Sequence, residues 1–491
     1  MKVNGKEGKS LQRQLTPTHV WALAFGCIIG WGSFVNPGKK FLPNSGVAGT
    51  AIAMALGAIV MIIIAFSYAY MIPKYPKAGG EFTFTKECFG KRIAFVCGWF
   101  LIAAYLTNVP MNSTAIALIV DGIDGGADIL KFGFHYAVAG FDIYLGEMLF
   151  AIAILLLFAV LNVLGVKKAA AVQTVLSSLL AVSVFTLAIS ALVSSKAQGI
   201  NMQPIWGFDK TAAMAAGATT ENISDFAKGG SAGIISSILA TFAIAPWAYV
   251  GFDTIPQAAE EFKFSYKKVI IIMVVAILFG CFVYTTNNTV AAAALENWPD
   301  RVMAGEWVLL VAAEEMLGVF GKILIGTAVS CAVLSGMMGF YLASSRLMYS
   351  MARDGYLPAI FSRVDSKHGT PINAIIFCFV ISLSGPLLGR EALGWFVDMS
   401  AIGASMGFFF TSVSTLVTMK RNKDGTPLLK IMAILGAAFS VTFMILQLVP
   451  IPGLSGVHFG KESYMLLVVW IVMGIIGYLA KSKRSSAVTE L

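Results

Sequence analysis

Gly26-Cys27-Ile28-Ile29-Gly30-Trp31-Gly32-Ser33-Phe34, with Pro37 three residues further on, lies inside an apolar run over about residues 17–43. Ala245-Pro246-Trp247-Ala248-Tyr249-Val250-Gly251-Phe252-Asp253, followed by Pro256, interrupts a second run at about 232–259 in the same way. Roughly 20 residues of helix cross a bilayer, so each run is long enough to span one. Each also carries helix-spoiling residues at mid-length. Pro246 has no N–H, so the Phe242 carbonyl loses its helical donor. Open backbone survives at that depth only where it is buried in protein or lines a wet cavity. The two stretches therefore mark a polar place inside an apolar chain.

Outward from them the pattern repeats. Apolar windows fall at about 17–43, 47–72, 93–120, 144–164, 171–193, 232–259, 268–294, 322–349, 372–389, 392–419, 428–449 and 464–480, which makes twelve candidate helices. Of 491 residues, 57% are apolar and 12% charged, whereas a soluble globular domain carries about 25% charged residues. So little charge cannot cover a water-facing surface, and the same figures exclude a disordered chain. The expectation is an all-α polytopic membrane protein.

Charge placement sets its orientation. With the N-terminus inside and the windows alternating, 25 of the 35 Lys and Arg fall on the inner side. Asp121, Asp124, Asp128, Asp142, Glu314 and Glu315 fall outside. Cytoplasmic loops collect Lys and Arg, which accounts for the net charge of +9. There is no basic run of the kind that nucleic-acid grooves use, and no nucleic-acid partner is expected. Cys27, Cys88, Cys97, Cys281, Cys331 and Cys378 all avoid the candidate external loops, so no disulfide is expected. No cleavable signal peptide is visible. The predicted setting is the plasma (inner) membrane, with both termini cytoplasmic.

The broken windows are the first and the sixth. Five is an odd separation, so the sixth enters the membrane from the opposite side. Paired interruptions of this kind point to an inverted repeat. The expected organisation is a cytoplasmic N-tail (1–16), a first five-helix repeat (17–194), an external loop (195–231), and a second, inverted five-helix repeat (232–419). Two added helices (428–480) and a cytoplasmic C-tail (481–491) complete it.

An unwound first helix frees amides near Gly30–Ser33, which suit a carboxylate. An unwound sixth helix frees carbonyls near Pro246–Gly251, which suit an ammonium group. Together they match an α-amino acid without any charged side chain. Gly26-x-x-x-Gly30 also fits a helix-packing motif; the proline-broken partner helix favours binding.

Ile28-Ile29-Gly30-Trp31-Gly32-Ser33-Phe34 resembles the I-G-x-G-x-F signature of the amino acid–polyamine–organocation (APC) superfamily of permeases. Three further stretches agree, in the family's order: Ser67-Tyr68-Ala69-Tyr70 through Pro76-Lys77-Ala78-Gly79-Gly80-Glu81-Phe82 to Phe89-Gly90, Gly251-Phe252-Asp253 through Ala259-Glu260-Glu261, and Ser345-Arg346-Leu347-Met348-Tyr349 through Leu357-Pro358. The resemblance implies a LeuT-type fold of 5+5 inverted helices plus two, and secondary transport by alternating access. It implies that Trp31, Gly32 and Ser33 supply carboxylate-binding amides, that Trp247 closes the site, and that Asp253 serves gating or coupling. With it the candidate substrate-binding set is Ile28, Ile29, Gly30, Trp31, Gly32, Ser33, Asn108, Ala245, Trp247, Tyr249 and Gly251. Asn108 fits a cavity wall or an interhelical hydrogen bond.

The chain departs from the family at three places. Trp31 stands where a small residue is usual, Tyr70 where many relatives have Glu, and Ser177, Ser178, Leu179 and Leu180 where proton-coupled relatives carry Lys. Coupling is then left to H⁺ through Asp253 or a distant group, to Na⁺ near Ser330, Ser335 and Ser344, or to exchange of substrates. No metal-ligand spacing, phosphate loop or nucleophile–base arrangement appears, so no cofactor, resident metal or enzyme activity is expected. The expected function is an amino acid permease, antiporter or symporter. The alternatives are an amine or polyamine carrier, an amino acid/amine exchanger and, less well matched by such short tails, a nutrient sensor.

Overall fold

The computed structural model describes residues 11–123, 127–218, 222–389, 392–451 and 458–489. Lys2, Lys6, Lys9 and Asp124, used above in the charge count, lie outside them. Every apolar window folds as helix. The first divides into α1 (Pro17–Ile28) and α2 (Gly32–Asn36), which passes through a π-helical turn at Pro37–Phe41 into α3 (Leu42–Met71). Then come α4 (Gly80–Phe89), α5 (Lys91–Leu106), α6 (Asn108–Ile123), α7 (Leu145–Val163) and α8 (Val166–Val193). The short α9 (Lys210–Ala215) precedes α10 (Gly230–Phe242), the single turn α11 (Ala245–Ala248) and a 3₁₀ helix at Phe252–Glu261. The rest is α12 (Val269–Ala293), α13 (Trp298–Met303), α14 (Val308–Leu317), α15 (Val319–Arg353), α16 (Ile372–Ser382), α17 (Ser384–Leu388), α18 (Ala392–Asn422), α19 (Pro427–Leu448) and α20 (Lys461–Thr489).

Among the described residues, nine helices are long and apolar enough to cross a membrane. A tenth crossing is the pair Gly230–Phe242 and Ala245–Glu261, bent by 41°. Pro17–Ile28 and Ile372–Leu388 are shorter apolar helices. This is a multi-pass membrane protein. Its apolar windows differ sharply in burial, 78% in α15 against 28% in α8, so α15 is an axis and α8 an outer wall. Val175, Val182, Ile189, Leu192 and Val193 of α8 stand exposed, as do Val468, Val472 and Ile476 of α20. In water such a surface would drive association. Lipid tails are as apolar as leucine, so a bilayer solvates it.

Local sequence explains the boundaries. Pro17 starts α1 behind Thr16, whose Oγ1 accepts the His19 amide; Pro427 starts α19 behind Thr426, which accepts Leu429 N–H at 3.2 Å. The first and second windows meet at a bend, not a loop, because Gly46 takes φ +63° there.

Two features depart from expectation. The all-α reading misses an antiparallel hairpin, His135–Val138 with Phe141–Tyr144. Its turn, Ala139-Gly140, has positive φ at both residues, the geometry that matches strand twist. The 295–321 connection, which holds none of the twelve apolar windows, contains two further helices, α13 and α14.

The bundle has two distinct ends. The proximal end carries Gln14 and Leu15, whose amides both donate to the Glu261 carbonyl at 2.9 Å. The distal end carries the π-helical turn, the ends of α6 and the α13–α14 segment.

Candidate functional site

The first break is short. Ile29 N–H closes the last turn of α1 on Phe25 O at 3.0 Å, and Gly30 and Trp31 then leave the helix. Ser33 rebuilds the turn, its N–H donating to Gly30 O at 3.2 Å and its Oγ to the same oxygen at 2.9 Å. Between these, the amides of Gly30, Trp31 and Gly32 donate to no protein acceptor among the described residues. Such amides at the start of a helical segment can take an anionic group.

The second break is longer than the sequence implies. Pro246 ends α10, α11 lasts one turn, and Gly251 adopts φ +146°, a conformation closed to L side chains. Beyond it the chain runs as ten residues of 3₁₀ helix, Phe252–Glu261, where runs longer than about four residues are uncommon. Pro256 lies inside it.

The two breaks touch. A Cβ on Gly251 would stand 2.5 Å from the Ile28 amide nitrogen and 2.8 Å from the Cys27 carbonyl carbon. A Cβ on Gly32 would collide with the Trp247 ring. Trp31 and Trp247 pack with centroids 6.0 Å apart. Ile28, Trp31, Gly32, Trp247 and Gly251 thus meet at one place, and Ile29 is buried beside it. Other candidates turn elsewhere. Ala245 faces Gly57 of α3, and the Tyr249 hydroxyl donates to Met54 O at 2.8 Å. Asn108 Nδ2 donates to Ala104 O at 2.6 Å and Ser400 Oγ at 2.7 Å, which joins α5 and α6 to α18. Gly26 is a packing glycine, pressed by Gln173 and Ser335.

Above the tryptophans, at the distal end, opens a cavity of about 380 Å³ bordered by Trp31, Lys39, Asp121, Trp307 and Glu314. Trp307 Nε1 donates to Phe34 O at 2.8 Å, which ties the loop helices to the far side of the first break. Trp31 Nε1 is buried without a hydrogen-bond partner among the described residues.

Below the breaks the bundle is shut by ion pairs. Arg346 Nε meets Glu261 Oε1 at 2.8 Å with both side chains 1% exposed. Arg353 meets Glu260 at 2.8 Å, Lys86 meets Asp354 at 2.6 Å, and Lys74 meets Asp424 at 2.6 Å. Hydrogen bonds from Lys74 and from Tyr70 hold the Asp424 carboxyl below its ordinary range. Glu260 Oε1 also accepts Ala78 N–H at 3.0 Å, and Ser350 Oγ donates to Ala78 O at 2.6 Å. These contacts staple the segment before α4 to α15 and to the 3₁₀ helix.

Asp253 lies between the breaks and this closed end. It is fully buried, and its Oδ1 accepts the Gly251 amide at 2.7 Å. The Tyr105 hydroxyl stands 3.2 Å from its Oδ2. Glu81, which sequence reasoning did not single out, is equally buried and 3.2 Å from the same hydroxyl. Its place among Lys74, Lys77 and Lys86 reads as a surface helix, but Gly80 through Thr85 are all buried. The available signal was Phe82 and Phe84 following a carboxylate in a short segment. On α8, Gln173 and Ser177 both donate to Ala22 O of α1, at 3.0 and 2.9 Å.

Residues 15–476 match the family model described as amino acid permease. The chain is 26% identical to the branched-chain amino acid permease BcaP of Bacillus subtilis (strain 168), over 98% of this chain and 96% of that protein. It is 25% identical to the vacuolar cationic amino acid transporter 2 of Arabidopsis thaliana, over 87% of this chain and 63% of the relative, so it spans less than two thirds of that plant protein. It is 24% identical to the methylthioribose transporter of Bacillus subtilis (strain 168), over 99% of this chain and 96% of that protein.

Proposed function

This chain belongs to the amino acid permease family, and we propose that it moves α-amino acids across the plasma membrane by alternating access. The substrate's carboxylate takes the unpaired amides of Gly30, Trp31 and Gly32, and its ammonium takes carbonyls around Ala245–Gly251. The observation that carries this reading is the contact between the breaks, with Gly251 against the Ile28 amide and Trp247 against Gly32. An α-amino acid presents opposite charges a few bonds apart, and this reading assigns them to the two breaks in contact.

The supporting organisation is twelve crossings in a 5+5 inverted repeat plus two, with the proximal end and both termini in the cytoplasm. The charged cavity then opens outward, the Trp31–Trp247 pair covers the substrate place, and the ion pairs of Glu260, Glu261, Arg346 and Arg353 shut the cytoplasmic side. Transport alternates between this arrangement and one in which the ion pairs part. Two of the relatives above are named for amino acids and the third for a thioribose; an amino acid fits both poles, whereas a neutral sugar uses neither.

The test is purified protein in liposomes with a panel of labelled amino acids and amines, measured as counterflow against the same unlabelled solute inside. Saturable counterflow of amino acids, lost when the carboxylate or the amine is blocked, is the expected result. Counterflow of a solute lacking both groups, and of no amino acid, overturns the reading.

A further inference from the structure

Glu81 and Asp253 form a buried acid pair with too few donors. Glu81 Oε1 accepts from the Tyr68 hydroxyl at 2.8 Å and stands 3.2 Å from that of Tyr105. Its Oε2 accepts from Gln257 Nε2 at 2.6 Å. Asp253 Oδ1 accepts the Gly251 amide, whereas its Oδ2 and its carbonyl oxygen have the Tyr105 hydroxyl at 3.2 and 3.0 Å. One hydroxyl proton thus faces three acceptors on two carboxyl-bearing residues. Gln257 Oε1, also buried, is an acceptor with no partner among the described residues.

Among the described residues the surroundings supply no compensating cation. Cys27 of α1 lies near Asp253, Cys97 of α5 lies near Glu81, and Tyr68 of α3 faces both acids. All are neutral at ordinary pH. On α15 the nearest bases are spent, Arg346 on Glu261 and Arg353 on Glu260, and Lys86 of α4 is spent on Asp354. Two ionised carboxylates in such a place repel each other and forgo their hydration. A single added proton removes the conflict. Placed on Glu81 Oε1 it donates to Tyr105, which is then free to donate to Asp253. Placed on Oε2 it gives Gln257 Oε1, after rotation of the amide, the donor it lacks.

We propose that Glu81 and Asp253 share one proton through the Tyr105 hydroxyl, and that this is the proton coupled to substrate movement. The proposal rests on the transport reading above and assigns its coupling ion. In the transfer, the Glu81 O–H bond breaks as a Tyr105 O–H bond forms, and the original Tyr105 O–H breaks as an Asp253 O–H forms. The hydroxyl ends unchanged. The two positions have different mechanical consequences. An ionised Asp253 clamps the Gly251 amide at the second break, and protonation there loosens the clamp. Glu81 rides on α4, whose leading segment is stapled to the closed end through Ala78, Glu260 and Ser350. Moving the proton therefore strengthens one end's hold while weakening the other's.

Two measurements separate this proposal from the transport reading. Infrared difference spectra of the purified protein between alkaline and acidic buffer report a buried protonated carboxyl directly, without substrate. A carboxylic C=O band that titrates in wild type and disappears or shifts in both Glu81→Gln and Asp253→Asn is expected. A band indifferent to both substitutions overturns the proposal. In liposomes, one proton per substrate lets a gradient of about one pH unit sustain about tenfold accumulation. Glu81→Gln should keep counterflow and lose that accumulation, and Tyr105→Phe should slow it. Full gradient-driven accumulation in Glu81→Gln refutes the proposal even where counterflow upholds the transport reading, and so does a wild type with counterflow but no response to the gradient.

Discussion

Gly30 and Gly32 are alike in the sequence and unlike in the structure, so one methyl group at each position tests the site. A Cβ on Gly30 meets nothing within 4 Å. A Cβ on Gly32 collides with Trp247 Cη2 and comes within 3.0 Å of Trp247 Cζ3 and Asn36 Nδ2. Trp247 is 6% exposed and packed on Trp31, so it can yield only by leaving its rotamer or pushing Trp31. Overpacking of this kind costs about 1–3 kcal/mol. Carried into binding, that is a loss of about fivefold to more than a hundredfold in affinity. Gly32→Ala should therefore bind labelled amino acid weakly, Gly32→Leu should abolish binding with the fold retained, and Gly30→Ala should stay within about twofold of wild type. Scintillation proximity binding reads the affinity, and a thermal melt of the same samples reads the fold. Equal affinities for Gly30→Ala and Gly32→Ala would refute the placement of the carboxylate site under Trp247. Uptake unchanged in Gly32→Leu would refute it outright.

Other expectations concern the closed end. Removing one partner of the Arg346–Glu261 pair strands a buried charge, which costs about 3–5 kcal/mol, whereas removing both is near neutral. Arg346→Met and Glu261→Gln should each lower the melting temperature by several degrees and the double variant should recover most of it; a double variant as unstable as the sum of the singles would show that the two groups do not compensate each other. At the Lys74–Asp424 contact, the Asp carboxyl is held below the ordinary 3.8 by Lys74 and Tyr70. A lowered folded-state value means that the tether is intact at neutral pH and lost as pH falls through the acid range below it. Asp424→Asn should therefore flatten whatever acid dependence cysteine accessibility shows at the α3–α4 turn, and an unchanged profile would assign that dependence elsewhere.

The breaks were legible because glycine and proline announce backbone trouble whatever surrounds them; length alone did not mark them, since the eighth window runs unbroken through α15. The detail was not. One break was expected in the sixth window, yet Pro246 and Gly251 act separately: the first withholds a donor and ends α10, and the second reverses φ and starts a 3₁₀ run. Tyr249 lies within the motif but points at Met54. Its direction depends on how one turn of helix is rotated, which periodicity cannot register over four residues. Glu81 escaped for a different reason. A carboxylate among lysines in a loop reads as solvated, and only the long-range contacts with Tyr68, Tyr105 and Gln257 reveal that α4 folds inward. The hairpin at His135–Tyr144 was hidden because four-residue strands leave little alternation to read.

The two ends of the molecule are closed by different physics, and under the proposed alternating access the difference orders the transport cycle. At the distal end the barrier is aromatic, two indoles in contact below a charged cavity that water already reaches. Among the described residues, swinging Trp247 aside parts a ring contact with Trp31, whose Nε1 has no hydrogen-bond partner to lose. At the proximal end three of the four ion pairs are partly exposed, with side chains 15–44% accessible, and only Arg346–Glu261 is dry. The exposed pairs part into water at little cost, about 0–1 kcal/mol each. The dry pair does not, because each charge must be rehydrated as it leaves the other. Glu261 moreover holds the chain's leading segment through its carbonyl, with Gln14 and Leu15 both bonded to it. On that proposal, opening at the proximal end requires water to reach one pair first, and the 3₁₀ run that carries Glu261 is continuous with Gly251 and the proposed substrate place. A ligand that pulls on the second break is positioned to strain that pair, whereas one that merely fills the distal cavity is not.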